Sequence, residues 1–394
     1  MMKVYYINGS AAGSSWTICK STMIFLKKSG CSIRIATPSF RPLDIDKDEY
    51  FRIGNRFSRC INRILTHIDG SDGFRNNLQT KRLINDITNF SPDIVHLHTL
   101  HGYFVNVRML LKYLKKNNIK TIITMHDCWW ITGRCAHFYS NCCDEWKNGC
   151  VNCKYKESYP SSMFLNRTKY YFGEKNKLFS NFNDLTITCV STWLADLALG
   201  SKYFKDKNVV TIYNGVDSDF YKDQGRERYF DLCFISNEWT SSKGLDMLKQ
   251  IVNKLQDYKV LIVGKLNSDF TFPKNVTYMN KIDKKEGMLN LYNSVKYIVN
   301  ISKQETFSLI NIEAQLCGTP VISYSKTGMS ETISPHNSVR VNNYCESEFL
   351  SAIKRAFANE KVDNYPRLFA LNFSESNMIK NYKKLYDDIV ERGK

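Results

Sequence analysis

Residues 303–322 read Lys303-Gln304-Glu305-Thr306-Phe307-Ser308-Leu309-Ile310-Asn311-Ile312-Glu313-Ala314-Gln315-Leu316-Cys317-Gly318-Thr319-Pro320-Val321-Ile322. Physically this is a loop, a helix, a stop and a strand. Ser308 is a residue type that caps helix N-termini, Gly318 suits the position just past the C-terminus, and Pro320 prevents continuation. A helix that opens after a parallel strand presents free amides, which makes its N-terminus a site for phosphate. Glu305 lies just before that helix and Glu313 inside it. Their eight-residue separation is about 12 Å if wholly helical. Carboxylates so spaced can accept hydrogen bonds from the hydroxyls of sugars at the two ends of a diphosphate.

Outward from this stretch, short β-branched runs alternate with amphipathic helical patterns, the signature of parallel sheets wrapped in helices. Strands are expected at 231–236, 259–263, 276–279, 297–301 and 320–324. An earlier series is expected at 4–8, 32–37, 94–98, 121–126, 185–190 and 209–213, with helices such as Trp16–Ser29 and Val105–Asn117 between them. The polar, charged stretch Asp217–Arg228 separates the two series. The predicted architecture is α/β: two doubly wound domains, 1–216 and 217–373, with a helix at 374–394 that packs back on the first. Ligands in such sheets bind beyond the carboxyl ends of the strands, so two facing domains would enclose a cleft.

The 305–322 stretch resembles the E-x7-E motif of retaining glycosyltransferases of the GT-B fold, in particular glycosyltransferase family 4, through its Glu-Ala pair and Gly-Thr-Pro-Val ending. That resemblance implies a GT-B enzyme with two Rossmann-like domains facing across a cleft, the first binding acceptor and the second the nucleotide sugar. It implies further that Glu305 contacts the transferred sugar and Glu313 the ribose, while Thr306, Phe307, Ser308 and Leu309 bind donor. Ser242-Lys243-Gly244-Leu245 is similar to the family's Lys-Gly segment, whose lysine neutralises the donor diphosphate. The arginine usual five or six positions earlier is replaced here by Asn237 and Glu238. Lys243 and the helix amides would then carry more of the phosphate charge.

In the first half, Thr124-Met125-His126-Asp127 resembles the family's His-Asp segment, in which the histidine, here His126, faces the transferred sugar. Asp127 reads equally as a structural cap. The Gly9–Gly13 turn resembles the loop after the first strand, where Gly13 lets backbone approach donor and acceptor. Gly328-Met329-Ser330-Glu331 is similar to the family's Gly-x-x-Glu turn, and Asn214-Gly215-Val216-Asp217 to its interdomain turn. By this analogy the reaction is a hexosyl transfer with retention that requires no metal. The acceptor hydroxyl attacks on the face the diphosphate leaves.

Charge and cysteines add further expectations. Residues 1–200 hold 27 Lys/Arg against 15 Asp/Glu, a surplus of 12; residues 201–394 hold 28 against 23, a surplus of 5. A basic first half suits an anionic partner. Membrane surface, lipid diphosphate and nucleic acid would all serve, but no nucleic-acid reading motif accompanies the charge. The family resemblance implies a lipid-linked saccharide acceptor at the inner membrane face, which the basic first half fits. A nucleotide-sugar epimerase of the same architecture and a non-enzymatic anion binder are the alternatives. Met1-Met2-Lys3 runs straight into a strand pattern without a secretory apolar region, so a cytoplasmic, at most peripheral, protein is expected.

Within an insertion at 128–160, Cys135, Cys143, Cys150 and Cys153 form C-x7-C-x6-C-x2-C, whose closing C-x-x-C is half of a usual thiolate zinc site. Structural zinc and metal-free thiols are both open. Similar insertions occur in a branch of family 4 enzymes associated with bacterial surface polysaccharides such as O-antigen and capsule. Tyr139, Trp146 and Tyr155, interleaved with Lys147, Lys154 and Lys156, either contact acceptor or membrane, or pack the insertion onto its domain.

Overall fold

The computed structural model describes residues 1–38, 45–151, 153–155, 159–267, 270–358 and 364–391. Two compact units emerge: unit 1 comprises Met1–Ile212 with Ile379–Lys394, and unit 2 comprises Tyr213–Met378. The divide thus falls four residues before the expected boundary, and the chain returns to unit 1 within the last helix rather than ahead of it.

Unit 1 contains β1 (Lys3–Ile7), α1 (Ser14–Lys28), β2 (Ser32–Thr37), β3 (Tyr50–Arg52), α2 (Arg56–Asp69), α3 (Asn77–Phe90), β4 (Ile94–Leu97), α4 (Val107–Lys116), β5 (Lys120–Met125), α5 (Thr168–Phe179), β6 (Leu185–Cys189), α6 (Thr192–Leu199) and β7 (Asn208–Thr211). The strands form one parallel sheet in the order β3-β2-β1-β4-β5-β6-β7. Every residue of β4 and β6 is buried, as a sheet covered on both faces requires. Strand order reverses between β1 and β4, so Asn8 and His98 leave the sheet at its switch point.

Unit 2 contains β8 (Phe230–Glu238), α7 (Leu245–Ile251), β9 (Val260–Lys265), β10 (Val276–Met279), α8 (Lys285–Tyr292), β11 (Val295–Asn300), α9 (Leu309–Leu316), β12 (Val321–Tyr324), β13 (Val339–Val341), α10 (Glu346–Ala358) and α11 (Tyr365–Ala370). Its parallel sheet runs β10-β9-β8-β11-β12-β13, with the reversal between β8 and β11. Leu232, Phe234, Ile262, Val299 and Ile322 from the strands pack with Leu248, Ile251, Phe349 and Ile353 from the helices. The edge strands β3 and β13 were not expected.

The final helix, α12 (Glu375–Glu391), carries two tyrosines into unit 1. Tyr386 Oη meets Tyr6 Oη at 2.8 Å and His96 Nδ1 at 2.6 Å. Tyr382 Oη meets Thr124 Oγ1 at 3.1 Å; that hydroxyl also bonds His96 Nε2 (2.7 Å) and Thr188 Oγ1 (2.6 Å). All six residues are buried, so α12 covers polar groups of β1, β4, β5 and β6 and its two hydroxyls replace part of the water it displaces. The terminal residues 392–394 lie outside the described residues.

Candidate active site

In unit 2 the site is built at the carboxyl end of β11. Asn300 donates from Nδ2 to Ser308 Oγ and Asn311 Oδ1, both at 3.0 Å, and accepts from Ser302 N. Ser308 is the N-cap of α9 and its side chain accepts from Asn311 N. This buried polar clamp fixes where the helix begins, leaving the amides of Leu309 and Ile310 without an intrahelical acceptor. Because α9 opens only at Leu309, Glu305 sits in the preceding loop, where its amide donates to Thr327 Oγ1. Gly318 follows α9 at φ 73°, the left-handed conformation its residue type permits.

Lys243 Nζ reaches Glu305 Oε1 at 2.5 Å across 62 residues of sequence. Gly244 holds the lysine there. Its φ is 85°, and a Cβ would fall 2.3 Å from Ile301 O, so no larger residue lets the backbone run this close to the end of β11. Phe307 is buried against Tyr213 and Phe373, so only its backbone can serve a ligand. Thr306 lies beside it, half-buried. In the turn at 327–332, Glu331 accepts from Tyr213 Oη at 2.9 Å.

Glu313, one turn into α9, lines a cavity of about 240 Å3 with Leu309, Asn237, Lys281 and Lys285. Its Oε2 accepts from Tyr292 Oη at 2.7 Å. Burial pushes the carboxyl up to about 7, against the lowering effects of the Tyr292 bond and the Lys285 charge. A carboxylate poised this way gains most from new donors, such as vicinal hydroxyls, that replace lost water.

In unit 1, His126 and Asp127 follow β5 directly. His126 Nε2 lies 2.9 Å from His98 Nδ1, and the rings stack at 21°. Burial pulls His126 down to about 4 and His98 well below its usual value, so both are neutral. Nε2 of His98 has no protein partner among the described residues. A stranded N–H is rarer in buried sites than an unused lone pair, so the proton of His98 belongs on Nδ1, donating to His126. His126 is thereby held with its own proton on Nδ1.

Asp127 combines a structural and an electrostatic role. Oδ1 accepts from Trp129 N, while Oδ2 pairs with His101 Nε2 at 2.8 Å. Burial would raise the Asp127 carboxyl, but the His101 charge and bond outweigh it and hold it at about 2. Gly13 caps α1 at φ 84° and ψ −178° with open space around it, a conformation essentially reserved for glycine.

Aromatic contacts hold the insertion both within itself and onto α6. Trp146 is buried against Phe138, with ring centroids 5.2 Å apart, and Tyr139 packs edge-on to Trp193. Cys135 and Cys153 hydrogen-bond to one another, Cys150 Sγ accepts from Gly133 N at 3.2 Å, and Cys143 accepts from the Glu145 amide. Among the described residues, no three or more Cys, His, Asp or Glu side chains are arranged to hold a metal ion. Lys156 lies outside the described residues. No described helix is long and apolar enough to cross a membrane.

Sequence reasoning missed His98, His101, Tyr292 and the cavity lysines. Only the His-x-His alternation at 96–98 signalled the first of these, since period two places both rings on one face of β4.

Comparison with known proteins agrees with the fold. Residues 19–220 match the family described as "Glycosyltransferase Family 4", and residues 229–359 match "Glycosyl transferases group 1". A relative from Escherichia coli K12, the putative colanic acid biosynthesis glycosyl transferase WcaC, is 22% identical over 360 residues, 85% of each chain. Sucrose-phosphate synthase from Thermosynechococcus elongatus superposes with a TM-score of 0.69 at 13% identity, over 100% of both chains. Anabaena HepE, solved in complex with UDP-glucose, gives 0.63 at 11% identity over 98% of this chain and 100% of its own. These likenesses establish two Rossmann-like units of the GT-B fold, and with the match across half its length the chain belongs to glycosyltransferase family 4.

Proposed function

We propose that this glycosyltransferase takes a hexosyl group from a nucleoside diphosphate donor and transfers it, with retention, to a lipid-linked saccharide during assembly of a bacterial surface polysaccharide. The observation that carries the donor assignment is the convergence of Lys243 on Glu305 beside the α9 amides. Lys243 and the amides of Leu309 and Ile310 would take up the negative charge that grows on the departing diphosphate, the role a divalent metal fills elsewhere. Glu313 would accept from the ribose hydroxyls, with the base in the adjoining cavity. Glu305 and His126 would orient the sugar. As the bond from anomeric carbon to phosphate oxygen breaks, the acceptor oxygen bonds that carbon on the same face and its proton passes to the released phosphate.

The name of the WcaC relative supports the polysaccharide context, and the UDP-glucose complex of HepE supports including uridine donors in any panel. The basic first half supports work at the inner, cytoplasmic face of the membrane as a peripheral protein. A zinc ion on Cys135, Cys143, Cys150 and Cys153 would be a structural staple of the insertion outside this chemistry, read as one zinc per chain by metal analysis; a metal-free folded chain removes it.

Saturation-transfer NMR with uridine and guanosine diphosphate sugars, repeated with Glu313→Ala, tests the donor assignment. Binding to one nucleotide class that weakens in the variant is expected. A folded protein that binds none of the panel would overturn the assignment.

A further inference from the structure

Helix α2 faces the wrong way for a helix that serves a core. Phe57, Ile61, Ile64 and Ile68 recur at i, i+4, i+7 and i+11, a stripe within about 60° of its circumference at about 100° per residue. This stripe is exposed: Phe57 is 75% and Ile64 56% accessible. The buried residues of α2 are instead Asn62, Thr66 and Asp69. Asp69 pairs with Arg75 at 2.5 Å and Arg167 at 3.4 Å, so polar bonds fasten the helix with its apolar side outward.

The stripe does not end with the helix. Met163 N donates to His67 O at 2.6 Å and Leu165 N to Ile68 O at 2.9 Å, which lays Met163, Phe164 and Leu165 beside its C-terminus. All three are exposed, Phe164 by 69%. Scattered apolar side chains are ordinary on a protein surface, whereas a contiguous group of seven marks a contact. At about 100° per residue Arg56 and Arg63 lie on one flank of the stripe while Arg59 falls on the far side, and no acidic residue precedes Asp69 in the helix.

Large apolar side chains edged by arginine match an anionic bilayer, where the former enter the acyl boundary and the latter meet phosphate. A second copy of this chain would set the same arginines against each other, a like-charge contact. The face also connects to the site. Tyr159, just ahead of the 161–165 segment, donates from Oη to His101 or accepts from it at 2.9 Å, and His101 holds Asp127 beside His126.

We propose that α2 and residues 163–165 form the docking face that seats unit 1 on an anionic phospholipid membrane. The proposal rests on the reading of a membrane-borne acceptor and names the surface that reaches it.

The test is co-sedimentation of the full chain with phosphatidylglycerol-containing vesicles and with pure phosphatidylcholine vesicles at the same salt. The variants are the triple Phe57→Ser/Ile64→Ser/Phe164→Ser, single Phe164→Ser, and Arg63→Ala, each checked for its thermal transition and donor binding. The expected result is binding to the anionic vesicles that weakens about tenfold or more in the triple variant, with donor binding retained. Arg63→Ala should cost about fivefold on anionic vesicles only. If the triple variant fails to fold, Phe164→Ser decides, with a several-fold loss expected. Unchanged sedimentation of the folded variants would overturn the docking face while sparing the membrane reading. No vesicle binding by the unsubstituted chain would overturn both. A dimer in light scattering that the substitutions dissociate, without vesicle binding, would assign the face to a second copy and overturn the proposal.

Discussion

Replacing Glu313 by glutamine should make the free protein more stable and a poorer donor binder. The carboxyl ionises near pH 7 in the folded chain, against an ordinary value of 4.5, chiefly because it is buried. A group whose folded value is raised binds its proton more tightly folded than unfolded. Its contribution is therefore neutral below pH 4.5, becomes a penalty as pH rises from there to 7, and is constant above. At pH 8 the penalty is about 3 kcal/mol at most. Glutamine keeps the shape and an oxygen for Tyr292, and removes the charge. Unit 2 should gain about 2–4 °C in its transition for each kcal/mol recovered at pH 8, and nothing at pH 4.5.

Donor binding should move the opposite way. The ionised carboxylate is the stronger acceptor for ribose hydroxyls, so affinity should climb through pH 7 and level off above 8. With proton and donor in competition, binding at pH 6 should be about elevenfold weaker than at the plateau. Glu313→Gln should flatten that profile. Calorimetric titration with an intact nucleotide sugar, whose diphosphate has no ionisation in this range, gives the profile; differential scanning gives the stability. A profile that stays sloped in the variant, or a transition unmoved at pH 8, would refute the burial argument.

Three other expectations follow from neighbouring contacts. Tyr292→Phe removes a bond that lowers the Glu313 value, so the midpoint of the donor-binding profile should move above 7 in the same titration. Lys243→Ala should weaken donor binding by about 1.5–3 kcal/mol, the range of a hydrogen bond to a charged group, with the larger part of the loss in kcat if the lysine meets the leaving charge. Gly244→Ala forces a Cβ against Ile301 O at φ 85° and should lower the unfolding temperature of unit 2, since neither backbone segment can yield cheaply.

The unit 2 part of the candidate site was legible because its signals are local. Ser308, Gly318 and Pro320 bracket α9 in the sequence, and Glu305, Glu313 and Lys243 sit in short patterns whose spacing survives folding. Strands β3 and β13 escaped because three residues at a sheet edge hold too little periodicity to read. His98 and Tyr292 escaped for another reason. Each acts on a partner 28 or 21 residues away that only the sheet or the helix packing brings near. Trp146 shows an ambiguity that sequence cannot resolve: an aromatic next to lysines reads as a contact surface until its burial is seen. The apolar stripe of α2 is the inverse case, since periodicity alone would assign it to a core.

The tyrosines of α12 also bear on the order in which the chain can finish folding during synthesis. Tyr6, His96, Thr124 and Thr188 are all made early, yet Tyr382 and Tyr386 leave the ribosome only after the whole of unit 2. Until then the sheet of unit 1 must keep those hydroxyls and the imidazole wet, and at about 5–20 residues per second that wait lasts on the order of ten seconds or more. A fragment ending at residue 212 would carry the same exposed polar groove permanently. A separable unit 1 should therefore be made with residues 379–391 supplied, by fusion or as a peptide, so that this groove is covered.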